Sequence, residues 1–430
     1  MSGVQEWPPH AEGFLPRLRR QEASTMDGCS IGGRATRSTL LVLASAVLCF
    51  GPPGATEEAS PLAAWSDGVK VSAVLRDAQR HSIHSYFNTS PESPDGRWVL
   101  LYTSTTGDAH EGDIRIIERE TGEVRVLASG VTVEDAHRVA CQQWISGGRR
   151  VVFHDLRDGE WVVVAVDIET LRERVLARGR QVAWGQPTGD IVPLYGPHWD
   201  PGEHRDLELL NVATGEIRTV VTAEAVREAY PDWVTEQFGD SPISIFFPIL
   251  SPDLRLVIFK MATPAGGGFR SSSGSKRCGL ICYDLGGSRF VWMHPKWGHP
   301  AWRPDSRALI NMWSRGPVVI DSQTREAKYN EKLPAFPGGH PSFAPDGRLF
   351  TTDVQVISDG KPTREWAVVV GDMVGGGCET IHQFDNSKGA ASWRRSHPHP
   401  VFSPDGKRLY FNVSADRWTR LYVAESELGD

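Results

Sequence analysis

Four histidines stand out by type and spacing. His299, His340 and His399 each precede a proline and lie five residues before the proline of a Pro-Asp turn, at Pro304-Asp305, Pro345-Asp346 and Pro404-Asp405. His397 stands two residues before the last of them. Neutral imidazoles suit zinc, iron, nickel and manganese, and imidazole is the usual proton-transfer group near neutral pH. Equivalent residues of successive repeats face one axis when the repeats close into a ring, so these side chains would converge. His397 and His399 alternate on a strand and share a face. With His340 from the neighbouring repeat they form a three-nitrogen platform with open positions, the arrangement of a catalytic metal. His299, one repeat further round, is left unligated as a candidate base.

The elements that must position them are repeats. A turn followed by an apolar strand recurs seven times. It appears at Ser93-Pro94-Asp95-Gly96, Ser146-Gly147-Gly148-Arg149, a weaker Gln186-Pro187-Thr188-Gly189-Asp190, and Ser251-Pro252-Asp253, then at the three histidine-bearing turns. Proline presets φ for such a turn and aspartate bonds its own backbone. Short strands, hairpin turns such as Thr121-Gly122-Glu123, and a spacing of roughly 40 to 65 residues predict an all-β, seven-bladed β-propeller over residues 61–430. The residue five before the turn runs Thr89, Gln142, Val182, Phe247, His299, His340 and His399, so one arc of the channel mouth is histidine and the other neutral or apolar. The last unit lacks its outermost strand, and Val69 to Leu75 is expected to pair onto it and close the ring. Residues 222–239 are expected to hold a short helical insertion.

Composition narrows the function classes. The formal net charge is -7, and basic residues form no runs, which speaks against a nucleic-acid binder. Fifteen tryptophans, 43 glycines and 29 prolines suit a turn-rich β protein. Residues 1–60 read as targeting and linker: Arg34 and Arg37 precede the apolar run Leu40 to Phe50, then Gly51-Pro52-Pro53-Gly54-Ala55. That layout is a secretory signal, with Met26 as the candidate start, and it implies export to a periplasmic or extracellular space. The run is too short to span a bilayer. Four cysteines follow it, Cys141, Cys278, Cys282 and Cys378. Cys278 and Cys282 are expected to flank a strand, and no pairing is assigned.

The segments His397 to Gly406, Gly339 to Phe343, Gly298 to Pro300 and Tyr86 to Arg97 resemble the oligogalacturonate lyase family. That resemblance implies a seven-bladed propeller that cleaves short pectin fragments by β-elimination. It further implies a divalent metal, usually manganese, that neutralises the uronate carboxylate and acidifies the C5 proton, a histidine that removes the proton, and an arginine that supports the developing charge. Carried over by position, His340, His397 and His399 would be the metal ligands and His299 the base. Arg277 would be the arginine, with Arg270 second. The chain departs from the family in one place. Where the family has a glutamine ligand, three residues before the first histidine of His-x-His, this chain has Arg394, which cannot ligate: either water fills the fourth position, or Arg394 supplies positive charge to a uronic-acid oligosaccharide or other anionic carbohydrate, or the metal is absent. The Pro-Asp-Gly turns are shared with the translocation protein TolB. The alternative is therefore a non-catalytic propeller of that type, binding a protein or envelope polymer at the mouth.

Overall fold

The computed structural model describes residues 60–426 apart from 67, 77 and 78. The expected targeting and linker segment, residues 1–60, lies outside them except for Ser60. The strand Glu160–Asp167 (EWVVVAVD) is apolar without a break from Trp161 to Val166. A strand reads that way when both its faces are covered, which here means by the neighbouring blades. Five separate four-stranded antiparallel sheets form blades two to six. Blades seven and one share the remaining sheet. Each blade runs from a short inner strand, such as Ser342–Phe343 in blade six, to an outer one, such as Cys378–Asp385. The result is a seven-bladed propeller.

The turn residues act as their chemistry dictates. Asp95, Asp253, Asp305, Asp346 and Asp405 each accept, through Oδ1, the backbone N–H two residues on, at 2.8–3.1 Å. Two indoles link neighbouring blades through the inner strands: Trp144 Nε1 donates to the Pro91 carbonyl at 2.7 Å and Trp302 Nε1 to that of Ile249 at 3.2 Å.

Lys70–Ala73 pairs antiparallel with Arg420–Glu425, in register from Lys70 opposite Glu425 to Ala73 opposite Tyr422. It thus provides the fourth strand of blade seven, within the span Val69 to Leu75 anticipated for it. The inner strand of blade one is split. His81–Ile83 pairs with the end of Trp98–Ser104, and pairing resumes only at Glu92 opposite Val99. The intervening detour is pinned by Asn412, which accepts the His84 N–H at 2.9 Å and donates to the His84 carbonyl at 3.1 Å. The detour carries Tyr86 and Phe87, both buried, into the centre of the ring. There Tyr86 stacks on Trp184 (5.4 Å between centroids) and meets Phe247 edge-on.

The insertion at 222–239 is two short helices, Ala223–Ala229, capped by Thr222, and Pro231–Phe238. All four described cysteines are free thiols. Cys278 and Cys282 lie within the single strand Ser275–Asp284 rather than flanking one, because the apolar stretch runs through both and pairs with Leu256–Pro264. No helix among the described residues is long and apolar enough to cross a membrane.

Candidate metal centre

His340, His397 and His399 do converge, and a fourth histidine joins them. Nitrogens of His137, His340, His397 and His399 all lie within 4.8 Å of one another. Ring centroids are 4.4 Å apart for His340 and His399, 5.2 Å for His340 and His397, and 4.4 Å for His137 and His399. His399 sits at φ 46°, a left-handed conformation uncommon for a residue with a Cβ and tolerated where the surroundings enforce it. The histidines of blades five and six each follow a glycine, and each glycine lies against a polar side chain. Gly339 touches the Asp353 carboxylate and Gly298, at φ 70°, touches the Asn311 amide, so a Cβ on either would collide. This close approach lets Asp353 Oδ1 accept the His340 N–H at 2.8 Å and Asn311 Oδ1 accept the His299 N–H at 2.9 Å.

Hydrogen bonds fix which imidazole nitrogens are free. Asp353 accepts from His340 Nδ1, at 2.9 and 3.1 Å, and its Oδ2 accepts the His399 N–H at 3.3 Å. The Arg395 carbonyl lies 3.1 Å from His137 Nδ1. A carbonyl only accepts, so that nitrogen carries the proton and His137 Nε2 keeps its lone pair. His137 Nε2, His340 Nε2, His397 Nδ1 and both nitrogens of His399 are buried without a hydrogen-bond partner among the described residues. Buried polar atoms are rarely left so. A carboxylate or carbonyl on one imidazole nitrogen with the other nitrogen free is the usual preparation of a metal-binding histidine.

The electrostatics keep the imidazoles neutral, as a ligand must be. Burial pushes His340 and His397 down to about 3, with the Arg394 charge adding to the effect in both. His137 and His399 are pushed well below the ordinary range, first by burial and then by Arg394 and the other histidines. Burial raises Asp353 to about 6 despite the N–H bonds it receives. Four imidazoles with a carboxylate behind one of them fit a divalent transition-metal ion.

His299 is beside this group and not part of it. Its ring lies 4.4 Å from that of His340 and edge-on to Phe87 at 6.3 Å. Burial, then His340 and Lys260, hold it well below its usual range. Three cations without a carboxylate partner among the described residues share the space. Arg277 packs over Phe246 at 5.8 Å, and burial, Arg394 and Arg138 bring it down to about 10. Lys260 stands over Trp297 at 4.5 Å and over Phe246 and Phe247 at 5.1 and 5.2 Å. Burial and then Arg277, Arg394 and Arg138 push it well below the lysine range. Arg394, half-buried, is the charge common to all of these shifts. Arg138, by contrast, is neutralised by Glu134 at 2.9 Å. Arg270 is engaged elsewhere: its Nη2 donates to the Val133 carbonyl at 2.9 Å and its guanidinium covers Phe269. It props the loop that carries Glu134 and His137.

Reading by repeats overlooked His137 and Lys260. His137 belongs to the connection between blades one and two, so no aligned position announces it. Lys260 does have a signal. It lies three residues beyond Val257, as Asp353 and Asn412 lie three beyond Phe350 and Leu409, and those three residues pair equivalently with Leu250, Phe343 and Phe402. One rung of the second strand therefore delivers polar groups to the mouth in blades four, six and seven.

Fold and site together define a propeller that gathers four histidines able to hold a metal ion, with cationic side chains nearby. Solved structures share the propeller fold. An oligogalacturonate lyase in complex with manganese matches 84% of this chain and 93% of its own at 18% identity and a TM-score of 0.58. An oligogalacturonate lyase from Vibrio parahaemolyticus matches 83% and 93% at 16% identity, also with a TM-score of 0.58. At these identities the likeness is one of fold. No family model and no curated protein sequence matches.

Proposed function

We propose that this protein is an exported, metal-dependent lyase that cleaves uronic-acid oligosaccharides, with short galacturonides as the leading substrate, by β-elimination at the histidine-lined mouth. The observation that carries the reading is four imidazoles, each with a buried nitrogen lacking a partner, close to three half-buried cations that have no carboxylate partner among the described residues. The first group fits a divalent ion, and the second fits a carboxylate-bearing ligand. The fold likeness to lyases of this kind supports it. Manganese is the ion in one of them and is the ion the resemblance implies.

His340, His397 and His399, with His137, would hold the ion, which when bound supplies positive charge to the uronate carboxylate. Arg277 and Arg394 bind and orient the same carboxylate and balance the charge that develops beside it. Asp353 holds the His340 ring in place. His299, kept neutral by its surroundings, takes the C5 proton; the C5–H electrons become the C4–C5 double bond, and the C4–oxygen bond breaks with its electrons on the leaving sugar oxygen, which is protonated from solvent. Tyr86 and Phe87 close the channel beneath and keep bulk water from that side. Arg270 serves this site by supporting the His137 loop.

The test is incubation of metal-loaded protein with short galacturonides, following loss of substrate and appearance of an unsaturated uronate. Turnover that disappears on chelation is expected. Metal-loaded protein that leaves these substrates intact would overturn the reading and favour a binding propeller.

A further inference from the structure

We propose that His137 is a metal ligand, and that through it this chain binds its ion with four imidazole nitrogens and prefers a borderline ion of the zinc class to manganese. The inference rests on the metal site and not on the elimination chemistry.

Geometry places His137 in the cluster, its ring centroid 4.4 Å from that of His399 and 4.7 Å from that of His397. Its Nε2 is buried, carries the lone pair and has no partner among the described residues. The loop is also built to hold it there. Asp135 Oδ1 accepts the N–H groups of His137 and Arg138, both at 2.9 Å. Three bonds fasten the loop to the segment that leads into His397 and His399. The Ala136 N–H donates to Ser392 Oγ (3.1 Å), Trp393 Nε1 donates to the Glu134 carbonyl (3.0 Å), and His137 Nδ1 donates to the Arg395 carbonyl (3.1 Å). One histidine from an inter-blade loop is thereby fixed relative to two from the blade seven entry. Such outer bonds orient a ligand and raise its basicity.

The donor set then decides the ion. The cluster that could hold the ion is four histidines and includes no carboxylate. Asp353 is committed to His340 Nδ1 and two backbone N–H groups, and Glu134 to Arg138 and His198. Arg394, in the position of an oxygen ligand by the resemblance, contributes charge and no donor. Four nitrogens without a protein oxygen favour zinc, nickel or copper, whereas manganese prefers carboxylate, carbonyl and water.

Full-length protein, stripped of metal by chelation, would be titrated calorimetrically with zinc and with manganese chloride. His137→Ala and His137→Gln would be treated alike, with His382→Ala as a remote control and thermal melting to verify folding. Pulsed EPR of the copper(II) form counts coordinated imidazoles. The expected results are zinc bound more tightly than manganese by at least a hundredfold, and a zinc affinity reduced by about tenfold or more in His137→Ala. His137→Gln should narrow the gap between the ions, and the copper form should lose one imidazole in both variants. Unchanged zinc affinity and imidazole count in a folded His137 variant, or manganese bound as tightly as zinc, would overturn the inference. Binding of neither ion would overturn it together with the metal reading. His137-dependent zinc binding without galacturonide turnover would support it while refuting the elimination reading.

Discussion

Arg408 of blade seven grips Glu92 of blade one through two bonds of 2.8 Å, and the Glu92 carboxylate also accepts from Tyr410 Oη at 2.6 Å. The Glu92 side chain is 0% exposed, and it stands where the inner strand of blade one resumes after the Tyr86-Phe87 detour. The pair therefore ties the last blade to the first on the channel side, while Lys70–Ala73 does so at the rim. Removing the Glu92 charge leaves buried Arg408 with only the more exposed Asp405, at 2.7 Å. Glu92→Gln should cost roughly 3–5 kcal/mol, seen as a lower midpoint in denaturant. The double variant Glu92→Gln with Arg408→Met should recover part of that loss.

Acid should loosen a second tie. Arg348 binds Asp372 in a bidentate pair at 3.0 and 2.8 Å, and Ser60 Oγ donates to the same carboxylate at 2.8 Å, linking the N-terminal segment to blade six. The Arg348 bonds hold Asp372 well below the ordinary aspartate value. A depressed carboxylate contributes stability that is complete above the unfolded value of about 3.9 and is lost as pH falls through the depressed one. Melting temperatures measured from pH 7 down to 3 should fall less steeply in Asp372→Asn than in the parent protein.

An ion held by the four imidazoles, as proposed, would stabilise the fold. An ion that binds only the folded protein stabilises it by about 2.7 kcal/mol at a hundredfold excess over its Kd. Chelation should lower the melting temperature and zinc should restore it. A melting temperature indifferent to both would mean that the four imidazoles hold no ion.

His299 separates chemistry from metal binding because it touches His340 without joining the ligand set. His299→Ala should lose about a hundred- to ten-thousandfold in turnover on galacturonides with metal affinity retained. Full turnover in that variant would assign the proton abstraction to another group.

Tyr86 tests the channel plug. Its buried ring contacts Trp184, Phe247, His137 and His399. Tyr86→Ala should cost about 3–5 kcal/mol through the cavity it leaves, measured by denaturant unfolding, and should weaken metal binding as His399 loses its support.

The sequence by itself determined the blades. Tight turns, five of them Pro-Asp, and the apolar strands that follow are local signals, and their sevenfold recurrence required no knowledge of contacts. The same register aligned His299, His340 and His399; His397 does join them, but not by strand alternation, because the strand begins only at Val401 and His399 has a left-handed backbone at φ 46°. The strand near Val69 could be assigned because the last repeat was one strand short. The tertiary structure alone decided what closes the site. His137 lies in a connection with no counterpart in other blades, and its lone pair is exposed to the centre only because carbonyls and hydroxyls 250 residues away hold the loop. Lys260 lacks a carboxylate partner among the described residues because three aromatic rings and three arginines stand around it. Hydrogen-bond commitments such as Asp353 to His340 are likewise facts of neighbourhood. Periodicity specifies which residues face the axis. Which nitrogen is free, and which charge lacks a partner, depends on groups brought together from distant parts of the chain.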